Sequence, residues 1–342
     1  MMKVDMRHTP NYQSWLVNEA AFPQTGSLAE RVLYLCRYGL LAPSVHNTQP
    51  WQFQVDGATL RIGFAAERLL DAGDPTGRER WLSLGACVET LVVAGRHFGL
   101  VGTPRPVRPD AEGVMMDWTE APAEPDDLLL AAITARTSNR APYADRHVHS
   151  WQLERIRESY HHPDLNIVVR SDRRLIGLVA RLTGHAIGLA LSNPRFKHEL
   201  AGLLRPNWTD QPDGMPGFST EISSARSAME AWLMKHAPMA ARQAAKERRT
   251  MRRSAALVLV FSRGDTKPYW LEAGRAYQHC GLVAASLGLC QATTAAVVEA
   301  SDYHLDVEAA CHTNFRLQTT MRLGYGPTRH HAPRFQLKDL LG

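Results

Sequence analysis

Nothing in this chain is long and apolar. The longest unbroken hydrophobic run, Ala255 to Phe261, is about a third of what a helix needs to cross a bilayer. The first residues carry Asp5 and Arg7 and no apolar stretch, so they do not read as a secretory leader. Both absences predict a cytoplasmic protein with no membrane partner. Cysteine is scarce and odd in number: Cys36, Cys87, Cys280, Cys290 and Cys311 lie far apart inside apolar patterns, which predicts reduced, buried thiols rather than disulfides or a zinc site. A strong charge of either sign is missing too. A formal +5 over 342 residues suits an anionic small ligand as well as nucleic acid, and only the basic run Lys246 to Arg253 speaks for the latter, so no nucleic-acid partner is expected.

Several catalytic signatures are lacking as well. No Gly-x-Gly-x-x-Gly follows a strand, and there is no Walker loop, Gly-x-Ser-x-Gly elbow or His-Glu-x-x-His helix. His161-His162 and His330-His331 are adjacent pairs whose side chains diverge on most backbones, and His198-Glu199 has no second histidine at ligand spacing, so no metal is expected. What is present is ordinary globular composition, 44% hydrophobic and 21% charged, in a length that suits about two domains.

Residues 1–26 show no sustained period and read as a loosely packed arm. Ser27 and Glu30 form a capping box that opens a helix carrying Leu28, Val32, Leu35 and Cys36 on one face, stopped by Pro43. Trp51 to Val55 alternates as a strand, Asp56-Gly57 turns it, and a second strand starts at Thr59. Gly85 to Leu100 is helical, followed by a Pro-rich linker and a strand from Val114 to Trp118. The acidic, proline-bearing segment Ala121 to Asp127 marks a boundary between halves. Beyond it, helices are expected at Gln152 to Tyr160 and Arg173 to Ser192, a mobile loop at Arg205 to Gly217, a buried strand at Ala255 to Phe261, a long helix at Glu272 to Leu289 and a last strand at Thr319 to Tyr325. Setting Gly85 against Gly274 also aligns Gly99-Leu100 with Gly288-Leu289, as two equivalent halves would.

The most informative run is Ala42-Pro43-Ser44-Val45-His46-Asn47-Thr48-Gln49-Pro50-Trp51, in a helix-to-strand turn. Asn47 and Gln49 supply paired donors and acceptors, the prolines stiffen the turn and Trp51 anchors it. The run resembles the signature of the nitroreductase superfamily, and its His-Asn-Thr version is most like the Acg family of FMN-binding proteins. That resemblance implies an α+β, nitroreductase-like fold whose antiparallel-rich sheets are wrapped by helices. It places Pro43, Ser44, Asn47 and Gln49 against the flavin. Arg136-Thr137-Ser138-Asn139-Arg140 resembles the family's phosphate grip, in which Arg136, Ser138 and Arg140 hold FMN; forked, permanently charged guanidinium donors suit a phosphate dianion.

By the same resemblance Thr293, Thr294 and Ala295 run beside the reactive edge of the ring. Arg334, and after it Arg329, returns to the phosphate, and Arg252 offers a cation to the pyrimidine end. Because the Ala-Pro-Ser turn and the Arg-x-Ser-x-Arg motif each occur once, in different halves, a single-chain pseudo-dimer is implied: residues 27–125 form one half and 126–342 the other, with a lid-like insertion near 195–235, one FMN per chain, and a monomer or loose homodimer. The implied activity is an NAD(P)H oxidoreductase working by ping-pong flavin chemistry on a small-molecule acceptor such as a nitro compound or quinone, with no catalytic side chain beyond the flavin's own chemistry. An Acg-like flavin-sequestering protein with little turnover is the alternative, and a flavin-fragmenting enzyme a third reading.

Overall fold

Two helices of 20 residues cross backbone to backbone at the centre of the molecule, and each carries its own four-stranded sheet. The computed structural model describes residues 9–106 and 112–342. The first unit consists of α1 (Leu28–Gly39), β1 (Trp51–Asp56), β2 (Thr59–Phe64), α2 (Arg78–His97), β3 (Leu100–Pro106) and β4 (Val114–Glu120). The chain continues through α3 (Asp127–Ala135), α4 (Ser150–Arg157), β5 (Leu165–Arg170), α5 (Arg173–Ala190) and α6 (Pro194–Gly202). Next come the two-residue strands β6 (Leu204–Arg205) and β7 (Met215–Pro216), α7 (Ser224–His236), α8 (Ala240–Arg252) and β8 (Ala256–Ser262). Last are α9 (Lys267–Ser286), β9 (Cys290–Thr293), α10 (Ala296–Glu299), α11 (Tyr303–Ala310) and β10 (Arg316–Gly324). The strand orders are β1-β2-β4-β3 and β5-β8-β10-β9, antiparallel throughout, so the expected α+β class with antiparallel sheets wrapped by helices is what the chain adopts.

The Gly85/Gly274 repeat extends over both long helices. An offset of 189 residues carries both ends of α2 onto those of α9, and pairs Trp81 with Trp270 and Leu82 with Leu271. Gly99 and Gly288, both at φ 74, follow the two helices as left-handed caps. The contacts are reciprocal, as a two-fold axis requires. A Cβ on Gly85 would meet the Leu271 carbonyl oxygen at 2.0 Å, and one on Gly274 would meet that of Leu82 at 2.1 Å. Glu89 binds His279 at 2.9 Å while Thr90 accepts from Gln278 at 2.9 Å, again the same two positions exchanged. Buried Glu89 also pairs with Arg275 at 3.1 Å, so the charge held between the helices is compensated.

Local rules explain most elements. Ser27 and Glu30 form the expected reciprocal cap on α1, and Gly57 turns the β1–β2 hairpin at φ 55. β8 is buried along its whole length, as its unbroken apolar run demands. Three expectations need correction. The Pro-rich linker after α2 is strand β3: it lies at the sheet edge, where Pro104 and Pro106 cost no ladder bond. Residues 9–26 are core rather than a loose arm, with Tyr12, Trp15 and Phe22 buried, because the C-terminal tail returns across them. Ser14 and Trp15 donate to the carbonyls of Phe335 and Ala332 at 2.8 Å each. Residues 1–8 of that arm lie outside the described residues. Finally, the Arg205 to Gly217 loop is tied down: Asn11 Nδ2 donates to the Thr209 and Gln211 carbonyls, both at 3.0 Å, and Gln49 Nε2 to that of Pro212 at 2.8 Å.

Candidate functional site

A cavity of about 640 Å³ lies between α2, the 43–46 turn, the start of α10, β10 and the helices α5 to α8, within the size range of cofactor pockets. Pro43, Ser44, Ser138, Arg140, Thr293, Thr294 and Ala295 all line it, so the structure brings seven of the sequence-derived candidates to one place. They arrive from three distant stretches of chain. Asn139, between Ser138 and Arg140, is clamped by its N–H to the Gln291 carbonyl (2.7 Å) and by Nδ2 to the Pro327 carbonyl (2.9 Å). That clamp sets Arg140 into the cavity wall, where burial pulls its pKa down from the ordinary guanidinium value.

The turn is held under backbone strain. His46, Asn47 and Gln49 all have positive φ (46°, 62° and 49°), a region non-glycine residues rarely occupy. Side chains fix it there: Ser44 Oγ accepts from the Gln49 N–H at 2.9 Å, and Val45 N–H donates to Ser83 Oγ at 3.1 Å. Asn47 Nδ2 donates to the Gly214 and Pro333 carbonyls at 3.1 and 3.0 Å, and Gln49 Oε1 accepts from the Phe335 N–H at 3.1 Å. Asn47 and Gln49 are therefore outside the cavity lining and buttress the turn from behind. His46 is the residue that the strain pushes to the cavity wall. Burial first, and Arg140 second, lower its pKa to about 4, so it is a neutral imidazole at neutral pH.

Behind the turn sits a buried cationic pair. Arg136 (4% exposed) and Arg334 (3%) both donate Nη2 to the same carbonyl, Leu41, at 3.2 Å. Arg334 also donates to Asn47 Oδ1 and to the Ala42 carbonyl, and lies 4.8 Å over the Trp15 ring. No carboxylate pairs with either among the described residues, and both Nε atoms lack a partner. Each guanidinium is pushed below its ordinary pKa by burial and, for Arg334, by Arg136. His331, stacked on Trp15 at 4.0 Å, is lowered to about 4 by burial and by the same two arginines. Two buried like charges with unpaired N–H groups and no counter-ion fit an anionic ligand group.

The two remaining candidates sit elsewhere. Arg252 is exposed at the end of α8; on that helix Gln243, Lys246 and Glu247, three and four residues apart, share the cavity face. Arg329 pairs with Glu221 at 2.6 Å. Sequence reasoning passed over His46, Lys246, Tyr277, Glu79, Glu299 and Arg322, all of which line the cavity. Arg322 had a weak signal, an arginine between Met321 and Leu323 in the last strand; it is 4% exposed, stacked 4.2 Å over Tyr143 and has Nη1 unpartnered.

The segment between α5 and α8 forms one wall, with Phe196, Leu200, Met215, Ile222 and Met234 facing the cavity. It is latched to the first unit by Glu199, whose carboxylate accepts three backbone N–H bonds, from Asp71, Ala72 and Gly73, at 2.8, 3.0 and 2.7 Å. Among the described residues, no single helix is long and apolar enough to cross a bilayer.

No family model matches the chain. Among curated proteins, it is 32% identical over 120 residues to Rv3131 of Mycobacterium tuberculosis and 30% identical over 127 residues to Acg of the same organism, both provisionally named NAD(P)H nitroreductases. The matches cover 34% and 35% of this chain and 35% and 37% of the relatives, so only about a third of each is spanned. A third M. tuberculosis protein, Rv3127, which has no assigned activity, is 25% identical over 327 residues, 90% of this chain and 89% of its own. Among solved structures, the FMN- and NADPH-dependent nitroreductase NfnB of Sphingopyxis sp. strain HMH overlaps 63% of this chain and 97% of its own, at 16% identity and a TM-score of 0.41. A BluB-like flavoprotein from Clostridium difficile overlaps 61% and 94%, at 14% identity and a TM-score of 0.38.

Proposed function

We propose, with this likeness to nitroreductase-superfamily proteins as premise, that the chain is a cytoplasmic flavoprotein of nitroreductase type. It binds one FMN per chain across its two halves and passes electrons from NAD(P)H to an electron-poor small molecule, a nitro compound or quinone. The observation that carries the reading is the cavity wall shared by Ser44, Ser138, Arg140 and Thr293 to Ala295, backed by the carboxylate-free pair Arg136 and Arg334. Ser138 and Arg140 would hold the phosphate end from the cavity wall; Arg136 and Arg334, behind the turn and outside that lining, would add positive charge whose mutual repulsion a dianion offsets. Pro43 and Ser44 would meet the ring from the first half. The N–H of Thr294 is taken by the Thr320 carbonyl at 3.1 Å. That leaves Ala295, at the first turn of α10 where N–H groups have no helical acceptor, as the donor toward the reactive edge. When bound, FMN supplies reversible two-electron transfer.

The test is the spectrum of the purified protein and its response to NADH and NADPH without oxygen. A yellow protein whose flavin band bleaches is expected. A protein that stays colourless after incubation with FMN refutes the reading.

The tied loop and the Glu199 latch favour a second reading, a flavin-sequestering protein with little turnover. Glu199→Gln weakens three charge-assisted bonds to one neutral acceptor and should speed reduction of the flavin by added reductant. Unchanged kinetics count against a lid.

A further inference from the structure

We propose that Glu299, paired with Glu79, is the proton donor of this cavity and gives its proton to the oxygen of an uncharged acceptor bound there. The inference deepens the flavoprotein reading above and rests on it for the source of electrons.

Glu79 enters the cavity from the first turn of α2 and Glu299 from the end of α10. A single guanidinium serves both: Arg78 lies 2.6 Å from Glu79 and 3.9 Å from Glu299. Arg78 is itself held by the carbonyl of Gln318, which stands at the register shift in the β8–β10 pairing; a bulge of this kind turns a main-chain group out of the ladder. A third carboxyl, Asp74, caps α2 by accepting from the N–H groups of Glu79 and Arg80 at 2.9 and 2.8 Å. Three carboxyls around one arginine leave negative charge in excess, and like charges this close do not all ionise. Burial first, then Glu79, raise the Glu299 carboxyl well above its ordinary range, and burial raises Asp74 to about 6.

Glu299 is the member best placed to release the proton, because 32% of its side chain is open while Arg78 and Glu79 are nearly closed. The other charged groups that line the cavity are the cations Arg140, Lys246 and Arg322 and the acids Glu230 and Glu247. Packed against α10, α5 brings Ile187, Leu189, Ala190 and Leu191 to the cavity, β10 brings Thr319 and Arg322, and α11 brings none of the described lining residues; across the cavity, α9 adds Tyr277, held neutral by burial. The cavity is marked as a ligand site independently, by Arg322 with its buried and unpartnered Nη1. Two-electron reduction of a quinone-type carbonyl adds a hydride equivalent from the reduced flavin and one proton. The O–H bond of Glu299 breaks, an O–H bond forms on the acceptor oxygen, and the carboxylate left behind recovers its proton from solvent. A protonated acid held within reach of the acceptor oxygen is the usual source for such a step.

The test has two arms on the purified protein. Infrared difference spectra across neutral pH should show a protonated-carboxyl band in the wild type that is lost in Glu299→Gln. In turnover, the ratio of the rate with an uncharged naphthoquinone to that with ferricyanide, which takes an electron but no proton, should fall roughly a hundredfold in Glu299→Gln. That ratio should recover partly in Glu299→Asp, and the fall of the wild-type quinone rate at high pH should disappear in Glu299→Gln. No such band in the wild type, or an unchanged ratio in Glu299→Gln, overturns the proposal. A protein that turns over neither acceptor sinks the oxidoreductase reading instead, while the infrared arm still decides whether Glu299 holds a proton.

Discussion

A methyl group added at the crossing of α2 and α9 has nowhere to go. In Gly85→Ala the new Cβ stands 2.0 Å from the Leu271 carbonyl oxygen, and in Gly274→Ala 2.1 Å from that of Leu82, against a working minimum of 3.0 Å. Both obstacles are backbone, so relief requires the helices to part by about an ångström along a contact that holds both cores together. Overpacking of this kind costs about 1–3 kcal/mol and sometimes more, and alanine's higher helix propensity returns about 1 kcal/mol. With rigid groups on both sides we take the upper end of the cost, which leaves a net loss of about 2 kcal/mol, and at about 2–4 °C per kcal/mol a fall in melting temperature of roughly 4–8 °C. Gly177 in the interior of α5 is the matched control, since a Cβ there meets nothing within 4 Å. Gly177→Ala should keep only the propensity gain and melt at or above the wild type. The double variant Gly85→Ala/Gly274→Ala should cost less than the sum of the singles, because the first methyl already parts the helices. Thermal unfolding followed by circular dichroism compares the four variants with the wild type. If Gly85→Ala melts with the wild type, or Gly177→Ala loses as much as Gly85→Ala, the reciprocal glycine contact does not hold the halves together.

Two further predictions concern the cationic cluster. His331 resists protonation down to about pH 4, whereas an unfolded chain accepts the proton near 6.5. The imidazole therefore leaves stability untouched above 6.5 and lowers it as pH falls from 6.5 toward 4. His331→Asn should flatten this slope by about 1–2 kcal/mol between pH 6.5 and 5 in paired denaturant melts; parallel slopes would show that the ring titrates normally. Arg334→Met removes one of the two buried cations behind the turn, so FMN affinity should fall by roughly ten- to a hundredfold, while riboflavin, which lacks the phosphate, should change little. Fluorescence titration with both ligands decides, and equal losses would place Arg334 outside the phosphate site.

How much of this was legible in the sequence depends on the kind of signal. The capping box at Ser27, the β1–β2 turn and the buried run of β8 are local, and local rules find them. The turn at 42–51 stood out because its polar residues fall between two prolines, yet the division of labour inside it is a tertiary fact. Asn47 and Gln49 face Gly214, Pro212 and Phe335, partners over 150 residues away, and so His46 rather than Asn47 meets the cavity. The basic run of α8 was visible as charge, but helical phase chose Lys246 over Arg252. β3 was hidden because prolines read as linker until the sheet order shows an edge. Glu79 and Glu299 carry no motif at all. They meet around Arg78, which is held by the Gln318 carbonyl at the register shift in β10.

The same offset that carries α2 onto α9 and β3 onto β9 also argues against a second flavin site in the proposed flavoprotein. Carried back by 189 residues, Thr293, Thr294 and Ala295 become Pro104, Arg105 and Pro106. Two of these three have no N–H to offer, and all three lie on the edge strand β3. Glu79 maps onto Pro268, so the second helix has no acid at the matching place. The strained turn precedes α2, and the segment carrying Arg136, Ser138 and Arg140 follows α3. An equivalent cavity around β3 would lack its donors, its acid and its phosphate grip together. FMN released by denaturation and measured against protein mass should therefore approach one per chain at saturation. A value near two would mean that scaffold symmetry extends to the chemistry, and that Pro104 to Pro106 are no bar to a second flavin.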